Sequence, residues 1–240
     1  MTRLAIDTAG AFIAVALEVG EDIVARVCVR RRTGQASSVA PVVDGVLALA
    51  GARATELTEL VVGIGPGSFT GIRVGLSWAQ GVGRGLGVPV IGVSSALTWH
   101  VDCGPGVVVV AATDARKAEV YASAWQGDDP HAALVTAAAW SPAALADELR
   151  ALAGRGLRLV PRGDGFAAYA DLGAALVREG VLAPWPDQPA PDAGQLLVRT
   201  RTPAEREALV APTLEPIYLR ASEAEVAEQQ RLAATADAQP

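Results

Sequence analysis

The sequence predicts an α/β protein of two lobes, each a mixed sheet with flanking helices, and three observations carry that expectation. Residues 3–30 alternate apolar with small or polar side chains at a period of two, with breaks at Gly10 and Gly20-Glu21-Asp22. From Ser37 to Val93, helical periodicity alternates with short apolar runs. A Gly/Pro break at Cys103-Gly104-Pro105-Gly106 then precedes a second sheet opening on Val107-Val108-Val109-Val110. The implied division is a first lobe over residues 1–102, a second over 103–220, and a polar Ala/Gln-rich tail over 221–240 that should fray.

Taken in order, Leu4-Ala5-Ile6, the alternation from Ile13 to Val19 and that from Ile23 to Val29 read as an antiparallel meander with one buried face. Ser37 or Ser38 can cap a helix whose apolar stripe is Val39, Val42, Val43, Val46 and Ala50, and Gly51 stops it. Leu60–Ile64 is a buried strand, followed by a glycine-rich turn and a helix over about Thr70–Leu86. Pro89–Val93 is the next strand, with a short helix from Ser94. In the second half, Glu119–Trp125, Leu134-Val135 and Leu157–Val160 read as strands. Pro142–Leu152, capped by Ser141, and a segment around Asp192–Thr200 read as helices.

Composition narrows the function. The chain is 51% hydrophobic, 19% charged and 5% aromatic, which excludes a disordered chain and implies close packing of small side chains. A net charge of −6 lacks the basic footprint of a direct duplex binder. Lys117 is the only lysine, which leaves one residue for any lysine chemistry. Cys28 and Cys103 have neither a disulfide framework nor metal-ligand spacing around them, so a reducing cytoplasm fits. The run Gly85–Val101 is free of Asp, Glu, Lys and Arg but too short and too polar for a membrane span. The opening MTRLAIDTAG reaches Asp7 too soon for a signal peptide.

Gly65-Pro66-Gly67-Ser68-Phe69-Thr70-Gly71-Ile72-Arg73-Val74-Gly75-Leu76 is the most unusual stretch. It can offer backbone N–H groups and a helix start to an anion, or be no more than a tight turn with a capped helix. It matches neither a Walker A loop nor GxGxxG, and Ser68 is not in a GxSxG elbow. Gly67, Gly71, Gly75, Ala79, Gly83 and Gly87 recur every fourth residue. Each interior Gly costs roughly 1 kcal/mol against Ala, so close approach by a neighbour must offset the cost. That neighbour is either a partner protein or the chain's own sheet.

LAIDTA at the start, GPGSFTGIRVGL, VPVIGVSS, DARKAEVYA over Asp114–Ala122 and PIYLR over Pro216–Arg220 resemble the TsaB (YeaZ) family in order and spacing, most specifically over residues 1–125. The resemblance implies an actin/hexokinase-like (ASKHA) fold and a part in making the threonylcarbamoyladenosine of bacterial tRNAs. It implies a heterodimer with the paralogous transferase TsaD and cooperation with the ATPase TsaE. The catalytic paralogue holds a metal through a His-x-x-x-His pair. The matching positions here are Ser95 and Trp99, which cannot replace imidazoles, and His100 and His131 stand alone in the sequence.

The expectation is therefore a non-catalytic subunit that needs no cofactor or metal and meets tRNA mainly through its partners. Its interface would use Val39, Val42, Val43, Val46, Gly71, Arg73, Val74, Gly75, Trp78 and Ala79, with a homodimer possible in isolation. Asp7 and Asp114 open the two lobes where actin-like ATPases face phosphates, which leaves two readings for them. They are the relic of a nucleotide cleft, or they cap turns and pair with Arg116. An ATP-dependent phosphotransferase or hydrolase using these two residues is the competing function.

Overall fold

A computed structural model describes residues 1–31, 33–101, 103–127, 129–184 and 190–220. The expected tail, 221–240, lies outside the described residues. Among the described residues the strands form two sheets, ordered β3-β2-β1-β4-β5 and β8-β7-β6-β9. In the first, β1 (Thr2–Asp7) pairs antiparallel with β2 (Phe12–Val19), which pairs antiparallel with β3 (Asp22–Arg30). On the other side β1 runs parallel to β4 (Glu59–Gly63), and β4 parallel to β5 (Val90–Val93). The second sheet repeats the plan. Its β6 (Val107–Arg116), β7 (Glu119–Gln126) and β8 (Asp129–Trp140) form the meander, and β9 (Arg158–Arg162) joins β6 in parallel. This is a two-lobed, actin/hexokinase-like α/β fold.

The helices cover the sheets where the sequence offers apolar faces. Helix α1 (Gln35–Leu49) and α2 (Phe69–Leu86) lie on one face of the first sheet, packing Val39, Val43, Val46, Leu76 and Ala79 against Leu4, Ile6, Leu60 and Val62. The start of α1 differs from the reading that gave its cap to Ser37 or Ser38. Gly34 is the capping residue at φ 70°, and both serine hydroxyls donate back to its carbonyl. Gly51, at φ 63°, follows the helix in the left-handed conformation that a β-carbon disfavours. The short helix after β5 is a 3-10 turn over Ser95–Trp99.

The second lobe carries α3 (Pro142–Gly154), a single turn α4 (Gly165–Ala168) and α5 (Ala170–Arg178), with Leu145, Leu149, Leu152 and Leu176 fully buried under its sheet. The chain then returns. Helix α6 (Gly194–Val198) places Leu196 and Leu197 on the other face of the first sheet, against Ala5, Ala14, Ala16 and Val61. Helix α7 (Pro203–Leu209) follows, and Ala211 N and Ile217 N donate to Gly92 O and Ile64 O at the edge of that same lobe. Residues 192–217, read from the sequence as part of the second lobe, thus complete the first. The physical reason is that the first sheet is apolar on both faces, and α1 and α2 cover only one.

A buried ion network fastens this return. Arg3, 2% exposed, spends its donors on Glu59 at 2.8 Å, Glu18 at 2.9 Å, Leu197 O at 3.0 Å, Thr200 O at 3.1 Å and Thr200 Oγ1. Arg206 of α7 reaches the other side of Glu59 and Arg201 reaches Glu18. Burial raises the Glu59 carboxyl, but hydrogen bonds from Arg206 and Arg3 outweigh it and hold the group below the usual carboxylate range.

Candidate functional site

The two lobes meet at a cleft whose base is packed. Phe12, Ala96 and Trp99 from the first lobe close on Val109, Ala111 and Trp125 from the second, with the Phe12 and Trp99 rings edge to face at 6.5 Å. Above this cluster lies an inner chamber of about 30 Å3 and beyond it an outer chamber of about 520 Å3. They share walls at Ala9, Gly10, Thr113, Tyr121 and Asp164.

Asp7, at the end of β1, borders the inner chamber and is 5% exposed. Its Oδ1 accepts from Ala9 N at 3.2 Å, whereas Oδ2 has no hydrogen-bond partner among the described residues. Burial pushes its pKa up to about 6, with the Ser95 hydroxyl and Ala9 N partly opposing. Gly63 is required beside it, because a β-carbon there would land on Asp7 Oδ2. Asp114, at the end of β6, borders the outer chamber instead. It accepts from Arg116 N at 2.8 Å and pairs with Arg116 Nη1 at 3.3 Å, while its own N–H donates to Asp164 Oδ1 at 3.1 Å. The cleft thus joins Asp7 and Asp114 through a shared wall but gives them different chambers. Asp164 was missed in the sequence, where its signal was a Gly-Asp-Gly turn directly after β9.

The glycine-rich turn joins β4 to α2. Ser68 caps α2 by accepting from Gly71 N at 3.3 Å. The glycine ridge faces inward. β-carbons at Gly67 and Gly71 would strike the carbonyls of Ala9 and Thr8, one at Gly75 would come 2.5 Å from Thr8 Oγ1, and one at Gly83 would strike Val90. Of the neighbours left open by the sequence, the chain's own β1–β2 turn and sheet take this ridge.

The expected interface residues divide accordingly. Val39, Val43, Val46, Gly71, Gly75 and Ala79 are buried in the lobe and present no side-chain surface to a partner. Val42, Val74 and Trp78 are half-buried and Arg73 is exposed. The outward face has a second row of small residues, Ser77, Gly81 and Gly85 on α2 with Gly45 on α1, all exposed. Nothing lies within 4 Å of a β-carbon built at Gly45, Gly81 or Gly85. Spacing alone shows both rows; only the direction of the sheet separates them.

Arg73 is held within the chain. Its guanidinium carbon sits 3.8 Å over the Phe69 ring, and its Nε donates to Tyr218 Oη at 2.9 Å. Tyr218 stacks on Phe69 at 5.0 Å, and two residues on Arg220 pairs with Glu119 of β7 at 2.8 Å. The segment around Tyr218 therefore bridges the lobes at the rim of the outer chamber.

Ser95 and Trp99 are both buried; Ser95 Oγ accepts from Gly65 N at 2.9 Å and Trp99 fills the cleft base. His100 is buried in contact with Trp125 at 6.1 Å, and the side chain of His131 lies outside the described residues. Among the described residues no three His, Cys, Asp or Glu side chains group to hold a metal, and no helix is long and apolar enough to cross a membrane.

Comparison with known proteins agrees with this architecture. A family model described as TsaD, tRNA N6-adenosine threonylcarbamoyltransferase, matches residues 34–137. The chain is 34% identical over 234 residues, 92% of its length and 95% of the relative's, to the tRNA threonylcarbamoyladenosine biosynthesis protein TsaB of Escherichia coli strain K12. It is 36% identical over 126 residues, 51% of its length and 53% of the relative's, to the protein of that description from Haemophilus influenzae. A solved structure of YeaZ from Pseudomonas aeruginosa shares the fold with a TM-score of 0.64, covering 91% of this chain and 99% of that one at 24% identity.

Proposed function

The chain belongs to the TsaB family, and on that premise we propose that it is a non-catalytic subunit in the biosynthesis of tRNA threonylcarbamoyladenosine, paired with a TsaD transferase. It works in the cytoplasm, with the TsaE ATPase in a larger complex, and meets tRNA mainly through these partners. The observation that carries the reading is the outward face of α1 and α2. Gly45, Ser77, Gly81 and Gly85 leave the two backbones bare there, flanked by half-buried Val42, Val74 and Trp78. Glycines inside a helix are costly, and the inward ridge explains only Gly71, Gly75 and Gly83. Close packing of partner helices would account for Gly81 and Gly85. The chamber at Asp7 is the smaller of the two, about 30 Å3.

The test is co-purification with the TsaD of the same organism. Gly81→Leu should keep the fold and weaken the complex at least about tenfold, roughly 1.4 kcal/mol or more. Wild-type chain that fails to bind TsaD, or Gly81→Leu that binds unchanged, overturns the reading. A second outcome, self-association through the same face, is separated by mass measurement with and without TsaD.

The competing reading, an ATP-dependent phosphotransferase or hydrolase, has one observation in its favour, the unpartnered Asp7 Oδ2 at the cleft. Calorimetry with Mg-ATP and a hydrolysis assay decide it. Micromolar binding with turnover lost in Asp7→Asn would support it, and silence in both would end it.

A further inference from the structure

The outward row of α2 runs further than its small residues. Phe69, Arg73, Ser77, Gly81 and Gly85 stand four residues apart and are all exposed, so one line of neighbours extends along the helix from its first residue. Its first two members are covered from within the chain. Tyr218 stacks on Phe69 with 26° between the rings, and the Arg73 guanidinium carbon lies over Phe69 and 5.9 Å from the centre of the Tyr218 ring. The Arg73 Nε donates to Tyr218 Oη.

The seat of Tyr218 decides where the chain goes next. Residues 211–217 belong to the first lobe: Ala211 N and Ile217 N donate to Gly92 O and Ile64 O, and Leu214 and Ile217 pack into its core. Arg220 then crosses to Glu119 of the second lobe. Between these anchors the hold of Phe69 and Arg73 on Tyr218 sets the direction in which the last residues leave. Arg73 therefore stands on the surface offered to a partner and under the strap that joins the lobes.

We propose, on the premise of the TsaD pairing, that Arg73 couples these two contacts: a partner seated on the α2 row steadies Tyr218 and with it the Arg220–Glu119 tie between the lobes. The physical reason is solvent. Phe69 and Tyr218 are 39% and 38% exposed, and a cation over a ring is held more strongly once water is excluded. A partner helix packed on Ser77 and Gly81 lies one turn from Arg73 and covers it. Coupling is reciprocal, so whatever the partner adds to the tie, the tie adds to the affinity for the partner. The pair is part-exposed, which limits the coupling to about fivefold.

The test uses the full chain with the TsaD of the same organism and reads affinity by calorimetry. Glu119→Gln removes the charge of the tie from the second lobe, away from α2, and should weaken TsaD binding about threefold. Glu179→Gln, which breaks the Arg150 pair elsewhere in that lobe, should leave binding unchanged. Trypsin cleavage after Arg220, followed by mass spectrometry, reads the strap itself. Saturating TsaD should slow this cleavage about threefold in wild type and leave it unaltered in Arg73→Ala and Glu119→Gln. Equal affinity of Glu119→Gln and wild type overturns the coupling alone, as does equal slowing in Glu119→Gln, which would mean that TsaD only shields the bond. Wild-type chain that fails to bind TsaD overturns the pairing and the coupling together.

Discussion

Thr8 donates its hydroxyl to the Gly71 carbonyl at 2.6 Å, bolting the turn after β1 onto the first turns of α2. The bond is possible because neither Gly71 nor Gly75 has a β-carbon to hold the turn away. Gly71→Ala should therefore lose about 2–3 kcal/mol through overpacking against Thr8 O. Gly81→Ala, facing open space, should gain up to about 1 kcal/mol of helix propensity. Urea unfolding of the two variants checks this, and shifts of the same sign would refute the inward direction of the ridge.

Asp7 should make the protein less stable as pH rises. Its pKa is about 6 folded against 3.8 unfolded, so the group contributes fully below pH 3.8 and that contribution is lost as pH climbs through 6. The difference corresponds to about 3 kcal/mol at neutral pH. Asp7→Asn should recover much of it at pH 7 and nothing at pH 3.5. Parallel stability curves for wild type and variant between about pH 4 and pH 7 would show that Asp7 is ionised when folded.

Arg3→Met should destabilise by about 3–5 kcal/mol, since the buried carboxylates of Glu18 and Glu59 would each lose their pairing with Arg3. The sign with pH is opposite to that of Asp7. Glu59 is held below its ordinary 4.5, so its contribution stands above that value and is lost as acid protonates it in the folded state. Denaturation across acid pH should show Arg3→Met losing this acid-sensitive component, and a variant as stable as wild type would mean that the network carries no net energy.

Tyr218→Phe removes only the hydroxyl that accepts from Arg73 and should cost at most about 1 kcal/mol. Tyr218→Ala also removes the stack on Phe69 and should expose residues near 218 to proteolysis. Mass spectrometry of early fragments reads this directly. Equal resistance in wild type and both variants would show that the bridge between lobes is held by Arg220 and Ile217 instead.

The first half of the fold was legible because its signals are local. Period-two alternation gave β1 to β3, and Ser68 and Gly87 bracket α2 within one residue of the reading. The second half was read less completely. β8 runs through Ala137-Ala138-Ala139, which carry no strand preference, and α4, α5 and α7 are short helices whose stability comes from packing rather than pattern. For the site, the motif positions were visible but their direction was not. Val39 and Gly75 had the right spacing for an interface, and only the sheet beneath them shows that they face inward. Asp164 and Arg31 reach the cleft by chain reversal, which no window of sequence records.

The return of residues 192–217 to the first sheet sets an order on synthesis. Leu196 and Leu197 cover Ala5, Ala14 and Val61, residues made nearly the whole chain earlier. A nascent chain ending at residue 102 holds all five strands of its sheet with one apolar face bare, and such surfaces aggregate. The ribosome must deliver the second lobe before the first can close. Fragments cut at the Gly/Pro break should then be insoluble, while a circular permutant that places 190–220 ahead of β1 would let the first lobe fold as it emerges.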